Sequence, residues 1–139
     1  MIEYTTGDIF NSKTQSIVIP VNTVGIAGKG LALTFKNKYF KEFIFYHDVC
    51  QANLFDIGDL IYLNNIILFP TKKHWSNPSE IEYIETGLKK FVGTYNNYNI
   101  DSIAFPKLGC GLGKLNWTEV KLLMEKYLKN LPIRVVIYE

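Results

Sequence analysis

Four stretches of this chain are apolar almost without a break: 16-SIVIPVN-22, 66-IILFP-70, 102-SIAFP-106 and 133-IRVVIYE-139. A strand with one wet face alternates apolar and polar residues, whereas a strand covered on both faces reads as a continuous β-branched run. Ile17, Ile67 and Ile103 sit in runs too continuous for the first kind. The chain is thereby committed to a sheet with something packed on each side. Shorter runs at 1-MIEYTT-6 and 59-DLIYL-63 add two candidate strands. Asn64-Asn65, between the second of these and 66–70, reads as a hairpin turn, which makes the sheet mixed.

The segments between the strands supply the cover. Leu31, Phe35 and Tyr39 recur at helical spacing, and Phe43 and Tyr46 continue the pattern through residues 41–52. Ile81, Ile84, Leu88 and Phe91 form one stripe within 79–95, with Ser79 as the expected N-cap. Val120, Leu123, Met124, Tyr127 and Leu128 form another within 117–131. Strands alternating with helices predict an α/β fold. At 139 residues and 47% hydrophobic, with no linker or repeat, the chain suits one domain with a real core.

Charge narrows the partners. The net charge is +2, so a general affinity for polyanions is not implied and any nucleic-acid contact is expected to be local. Cys50 and Cys110 make neither a disulfide framework nor a zinc-type cluster, and His47 and His74 stand apart, so no metal is expected. No segment has the roughly 18–20 apolar residues of a membrane helix, and the N-terminus lacks signal-peptide form. Asn116-Trp117-Thr118 matches the glycosylation pattern only by chance on that reading. A soluble cytoplasmic protein without a membrane partner is the expectation.

Two glycine clusters follow buried strands and open helices: 22-NTVGIAGKGLALTFK-36 and 105-FPKLGCGLGKLNW-117. Glycine permits positive φ and close approach of a ligand to backbone. A helix N-terminus adds free N–H groups and partial positive charge, a combination suited to phosphate. Two such junctions suit the two phosphates of a diphosphate; the alternative for each is a tight turn with no ligand. The common nucleotide motifs do not fit. Lys29 is followed by Gly30 and Lys114 by Leu115, so neither lysine precedes the hydroxyl of a P-loop, and Lys114 stands where G-x-G-x-x-G needs its third glycine.

Three pieces, 7-GDIF-10, 20-PVNTVGIAGKGLALTFKNKY-39 and 105-FPKLGCGLGKLNW-117, occur in the order and spacing of the macrodomains, and the chain resembles that ADP-ribose-binding family. The resemblance spans nearly the whole length and implies a three-layer α/β/α macrodomain with a central mixed sheet, occupying 1–139 as one domain. Within the family, 69-FPTKKHWSNPSEIEYIETGL-88 is similar to the segment of DarG-type DNA ADP-ribosyl glycohydrolases, antitoxins that remove ADP-ribose from thymidine in DNA. A looser version occurs in the terminal ADP-ribose protein glycohydrolase, which acts on acidic side chains. That cousin carries a catalytic aspartate in its second glycine loop, where this chain has Gly113, a departure that favours the DNA branch. DarG antitoxins also have a C-terminal toxin-gripping region, whereas this sequence stops at Glu139.

The resemblance implies roles residue by residue. Asp8 would accept from the adenine amino group with Ile9 beside the ring; the alternative for Asp8 is a helix-cap aspartate. Asn22 would hold the distal ribose. Gly25, Ala27, Gly28 and Gly30 would form the first phosphate loop, and Gly109, Cys110, Gly111, Leu112 and Gly113 the second. Lys29 reads as solvent-facing. No histidine lies near Cys110 in sequence, so it reads as a small loop residue rather than a nucleophile. Lys72 would be catalytic, made less basic by Lys73 and by partial burial. Lys73, His74 and Trp75 are candidate nucleic-acid contacts, with Trp75 available for stacking on a base. The expected ligand is ADP-ribose with no cofactor. The expected partners are ADP-ribosylated single-stranded DNA and a cognate ADP-ribosyltransferase toxin. The alternatives are hydrolysis of ADP-ribose esters, ADP-ribose 1″-phosphate phosphatase activity, and a reader without turnover.

Overall fold

The computed structural model describes residues 2–139, so Met1 of the first expected strand lies outside the described residues. Six strands form one sheet in the order β1-β6-β5-β2-β4-β3. They are β1 (Ile2–Thr5), β2 (Ser16–Asn22), β3 (Ile61–Leu63), β4 (Ile66–Lys72), β5 (Ser102–Phe105) and β6 (Arg134–Tyr138). All neighbours run parallel except β3, which pairs antiparallel with β4 through the Asn64-Asn65 turn. Both asparagines adopt the left-handed backbone of a type I′ hairpin turn, with φ of 50° and 65°. The sheet is mixed, as expected.

Helices α1 (Gly30–Lys38) and α2 (Phe40–Gln51) cover one face, and α3 (Ile81–Thr94) and α4 (Trp117–Leu128) the other. The period of two along β2 divides the core. Ile17, Ile19 and Val21 pack with Phe35, Phe43 and Tyr46, while Val18 packs with Ile84, Leu88, Phe91 and Met124. This is a three-layer α/β/α arrangement. Gly87 of α3 has no Cβ because the Phe69 ring of β4 fills that space.

The structure corrects three sequence expectations. The pattern over 31–52 is two helices, broken at Tyr39. Its N–H ends α1 on the Phe35 carbonyl at 2.8 Å, and its carbonyl starts α2 by accepting from Phe43 N–H at 2.9 Å. The Tyr39 ring stacks on Phe10 and Phe35, with centroids 6.3 Å apart in each case, and this packing sets the corner. Ser79 does not cap α3; Glu80 occupies the N-cap position. The Ser79 N–H instead bonds to the Gly113 carbonyl at 3.0 Å, tying the approach to α3 to the second glycine loop. Helix α4 stops at Leu128 rather than running to 131, since Pro132 keeps Leu131 out of helical backbone.

Candidate functional site

The parallel strands β1, β6, β5, β2 and β4 all present their C-terminal ends at one edge of the sheet, where open α/β sheets bind ligands. The candidate residues follow in spatial order. Asp8 lies just past β1, the second glycine loop past β5, the first past β2, and Lys72 ends β4.

At the β1 end, Asp8 caps the short 3-10 turn Ile9–Asn11, its Oδ1 accepting from Phe10 N–H at 3.0 Å. The carboxylate is exposed and Ile9 beside it is buried. The capping role raised from sequence is therefore present here, and it occupies only one of the two carboxylate oxygens among the described residues.

The first loop is built around the Asn22 side chain. Its Oδ1 accepts from the N–H groups of Val24, Gly25 and Ile26 at 3.1, 3.1 and 3.4 Å, and its Nδ2 donates to the Ile26 carbonyl at 2.8 Å. The fully buried Tyr46 hydroxyl lies 2.7 Å from the Asn22 carbonyl and 2.9 Å from Oδ1. Burial holds this phenol far above its ordinary pKa, so it stays a donor. His47 Nδ1 is 2.9 Å from the Gly25 carbonyl; because a carbonyl only accepts, this nitrogen carries the proton. Gly25 has φ +81°, and a Cβ there would crowd Cys50 and His47 at 3.1–3.2 Å. The amides of residues 24–26 are thus turned inward. The first α1 bond runs from Leu33 N–H to the Lys29 carbonyl, so the N–H groups ahead of it have no partner within the helix. A separate cavity of about 410 Å³ lies between this loop and Lys36, Phe40, Phe43, Ile44 and His47.

The second loop is a 3-10 turn, Gly111–Gly113, bounded by two bonds: Lys114 N–H to the Gly111 carbonyl and Leu115 N–H to the Gly109 carbonyl, both at 3.0 Å. Gly111 has φ +68° and open space beside it. A Cβ on Gly30 would lie 3.5 Å from Leu112 Cδ1, so the two loops meet at that point. Burial raises the Cys110 thiol pKa, so Cys110 is a poor nucleophile and its Sγ lies 3.6 Å from the Leu108 carbonyl.

Lys72 ends β4 with its Nζ 3.2 Å from the Trp75 carbonyl. Loss of hydration makes it less basic than a free lysine, and the charges of Lys114 and Lys29 act in the same direction. The expected contribution from Lys73 is replaced by these two: Lys73 Nζ instead sits over the Tyr83 ring, 5.7 Å from its centroid. Among the described residues none of Lys29, Lys72, Lys73 or Lys114 pairs with a carboxylate. Thr23 Oγ1 donates to the Lys73 carbonyl at 2.7 Å, joining the first loop to the basic turn. The His74 and Trp75 rings lie 5.0 Å apart, and Trp75 is 54% exposed.

Sequence reasoning missed Tyr46, His47, Ser79, Lys29 and Lys114. Tyr46, His47, Cys50 and Gln51 fall at helical spacing on one side of α2, and all four face the first loop. Lys114 adjoins Gly113 in the loop already singled out. No group of three His, Cys, Asp or Glu comes together among the described residues, and no helix among them is long and apolar enough to cross a membrane.

A three-layer sheet protein with two glycine loops and a lysine at one strand edge has the build of a phosphate-binding α/β domain. The Macro domain family model matches residues 18–124, and the chain belongs to that family. It is 39% identical over 155 residues to a DNA ADP-ribosyl transferase–DNA ADP-ribosyl glycohydrolase fusion protein of Thermosipho africanus, covering 95% of this chain and 40% of that protein. The solved macrodomain of Mycobacterium tuberculosis DarG superposes with TM-score 0.96 at 38% identity, covering 99% of this chain and 97% of that one. Thermosipho africanus DarTG in complex with ADP-ribose gives TM-score 0.91 at 38% identity, covering 99% of this chain and 41% of that one. The chain spans about two fifths of the length of the curated glycohydrolase relatives it matches at this level of identity.

Proposed function

We propose that residues 1–139 act as one macrodomain that binds ADP-ribose and removes it from a base of single-stranded DNA, reversing a cognate DNA ADP-ribosyltransferase. One observation carries the ligand: the site residues are spread along the sheet edge in the order of the ligand's own parts. Asp8 and Lys72 are four strand steps apart, about 19 Å at ordinary strand spacing. The glycine loops fall between them. Adenine on Asp8 and Ile9, diphosphate between the loops, and distal ribose toward Asn22 and Lys72 follow that order without crossing.

In the first loop, Ala27, Gly28 and Gly30 with the opening turn of α1 offer the phosphate amides, while Gly25 and Asn22 hold the loop's shape. In the second, Gly109, Cys110, Gly111, Leu112 and Gly113 wrap the other phosphate. Lys72 is the catalytic group: its neutral amine takes a proton from the water that attacks C1″ as the C1″–base bond breaks, or itself attacks C1″ as the base departs and is released when water hydrolyses the lysine–ribose bond. Exposed Trp75, with Lys73 and His74, supports a nucleic-acid strand on the leaving side. The resemblance to a glycohydrolase fused to a transferase supports the pairing with a toxin, and DNA as substrate supports a cytoplasmic location.

The test is turnover of single-stranded DNA carrying thymidine-linked ADP-ribose, beside glutamate-linked ADP-ribose, O-acetyl-ADP-ribose and ADP-ribose 1″-phosphate. Release from DNA alone is expected. Release from glutamate alone would make the protein an ester hydrolase, loss of the phosphate alone a phosphatase, and binding without release from any substrate a reader.

A further inference from the structure

Ser79 is buried, at 5% exposed, and its Oγ is the one buried side-chain nitrogen or oxygen without a hydrogen-bond partner among the described residues. An unmade hydrogen bond on a buried hydroxyl is costly and calls for a reason. The hydroxyl is aimed at the second glycine loop. A Cβ on Gly113 would meet Ser79 Oγ closer than van der Waals contact permits, and a Cβ on Gly109 would lie 3.3 Å from Ser79 Cβ. The Ser79 N–H already holds the Gly113 carbonyl at 3.0 Å. Ser79 is thus fastened below the loop with a spare donor pointing at it. The peptide carbonyls of Leu112 and Gly113 flank the Gly113 Cα that this donor faces.

A trans peptide points its N–H and C=O in opposite directions. When a loop peptide turns its N–H outward to an anion, its carbonyl turns inward. We propose that Ser79 is a positioning residue for ligand binding: its hydroxyl donates to the inward-turned carbonyl of the Leu112–Gly113 peptide when that peptide aims its N–H at a bound phosphate. In this structure the Ser79 hydroxyl has no partner; a loop that turns this peptide toward a phosphate gives it one. Gly113 permits this on two counts. The absent side chain makes room for Ser79, and glycine gives the peptide freedom to rotate. The inference rests on the ADP-ribose reading above.

Ser79→Ala is the test, with binding of ADP-ribose and of adenosine measured by calorimetry and melting temperature measured without ligand. Expected are an unligated melting temperature equal to or above wild type, because an unpaired polar group is gone, and ADP-ribose affinity lower by about tenfold, the worth of one net hydrogen bond. Adenosine, which lacks phosphate, binds as to wild type. Unchanged ADP-ribose affinity, or equal losses for both ligands, overturns the proposal. A wild-type protein that ignores ADP-ribose overturns the ADP-ribose reading itself. In wild type, ADP-ribose is expected to slow amide exchange across 109–114, an effect that Ser79→Ala reduces; equal slowing in both proteins overturns the proposal.

Discussion

At the scale of single residues the proposed chemistry turns on one proton. Lys72 is less basic than a free lysine because it loses hydration and faces Lys114 and Lys29. Between its folded pKa and the ordinary value, the folded chain binds fewer protons than the unfolded chain at this group. Its contribution to stability therefore grows as pH rises through that window. On the proposed mechanism, in which the neutral amine acts, turnover is expected to rise with pH through the folded pKa. Lys114→Met or Lys29→Met removes a neighbouring charge and is expected to move that rising limb to higher pH, read from kcat against pH. Lys72→Ala is expected to lower turnover by about 10² or more, the low end for a lost acid–base group, with ADP-ribose affinity within a few-fold. Lys72→Arg is expected to be inactive too, since guanidinium does not deprotonate in this range. Wild-type turnover by that variant would reduce Lys72 to a positive charge. Asp8→Ala is expected to weaken ADP-ribose by about 1.5–3 kcal/mol, the range for a charged hydrogen bond. Ribose 5-phosphate, lacking adenine, should be little affected.

At the scale of elements, α2 works as the rear wall of the first loop. Tyr46→Phe leaves the Asn22 carbonyl and Oδ1 without their buried hydroxyl, with an expected stability loss of about 1–3 kcal/mol. Lower ADP-ribose affinity with unchanged adenosine affinity would place the effect on the loop; equal losses would place it on the core. Gly87→Ala puts a methyl group into the Phe69 ring, so about 1–3 kcal/mol of stability is expected to be lost in chemical denaturation, the usual range for overpacking. The strands were legible in the sequence because continuous β-branched runs carry their own signature, and β2 begins and ends where the run does. The corner at Tyr39 was not, because no glycine or proline marks it and tertiary stacking of aromatic rings makes it. Ser79 misled for a similar reason: Ser79 and Glu82 have the spacing of a capping box, but a long-range bond to Gly113 claims the serine. The glycine loops could be read because their residue types are local requirements. Their supports, Tyr46 and Ser79, come from distant segments whose local patterns, a helical stripe and a capping-box spacing, do not point to the loops.

For the whole molecule the near-neutral balance hides an uneven one, with Lys29, Lys72, Lys73 and Lys114 around one sheet edge. ADP-ribose at a hundredfold excess over its dissociation constant is expected to stabilise the fold by about 2.7 kcal/mol, and a thermal shift that ignores millimolar ligand would remove the binding reading. Affinity for modified DNA should fall with added salt more steeply than affinity for ADP-ribose alone, because strand phosphates add counterion release. Parallel salt slopes would mean that the strand makes no ionic contact. The pairing of β1 with β6, Ile2 beside Val135 through Thr5 beside Tyr138, also bears on how the chain is made. Of the six described strands, the one that leads to Asp8 is made before the others, yet its sheet neighbour among the described residues is β6, the strand made last. Until Arg134–Tyr138 has emerged, β1 lacks its sheet partner and β5 keeps an open edge, so the Asp8 end of the cleft is assembled last of the domain during synthesis.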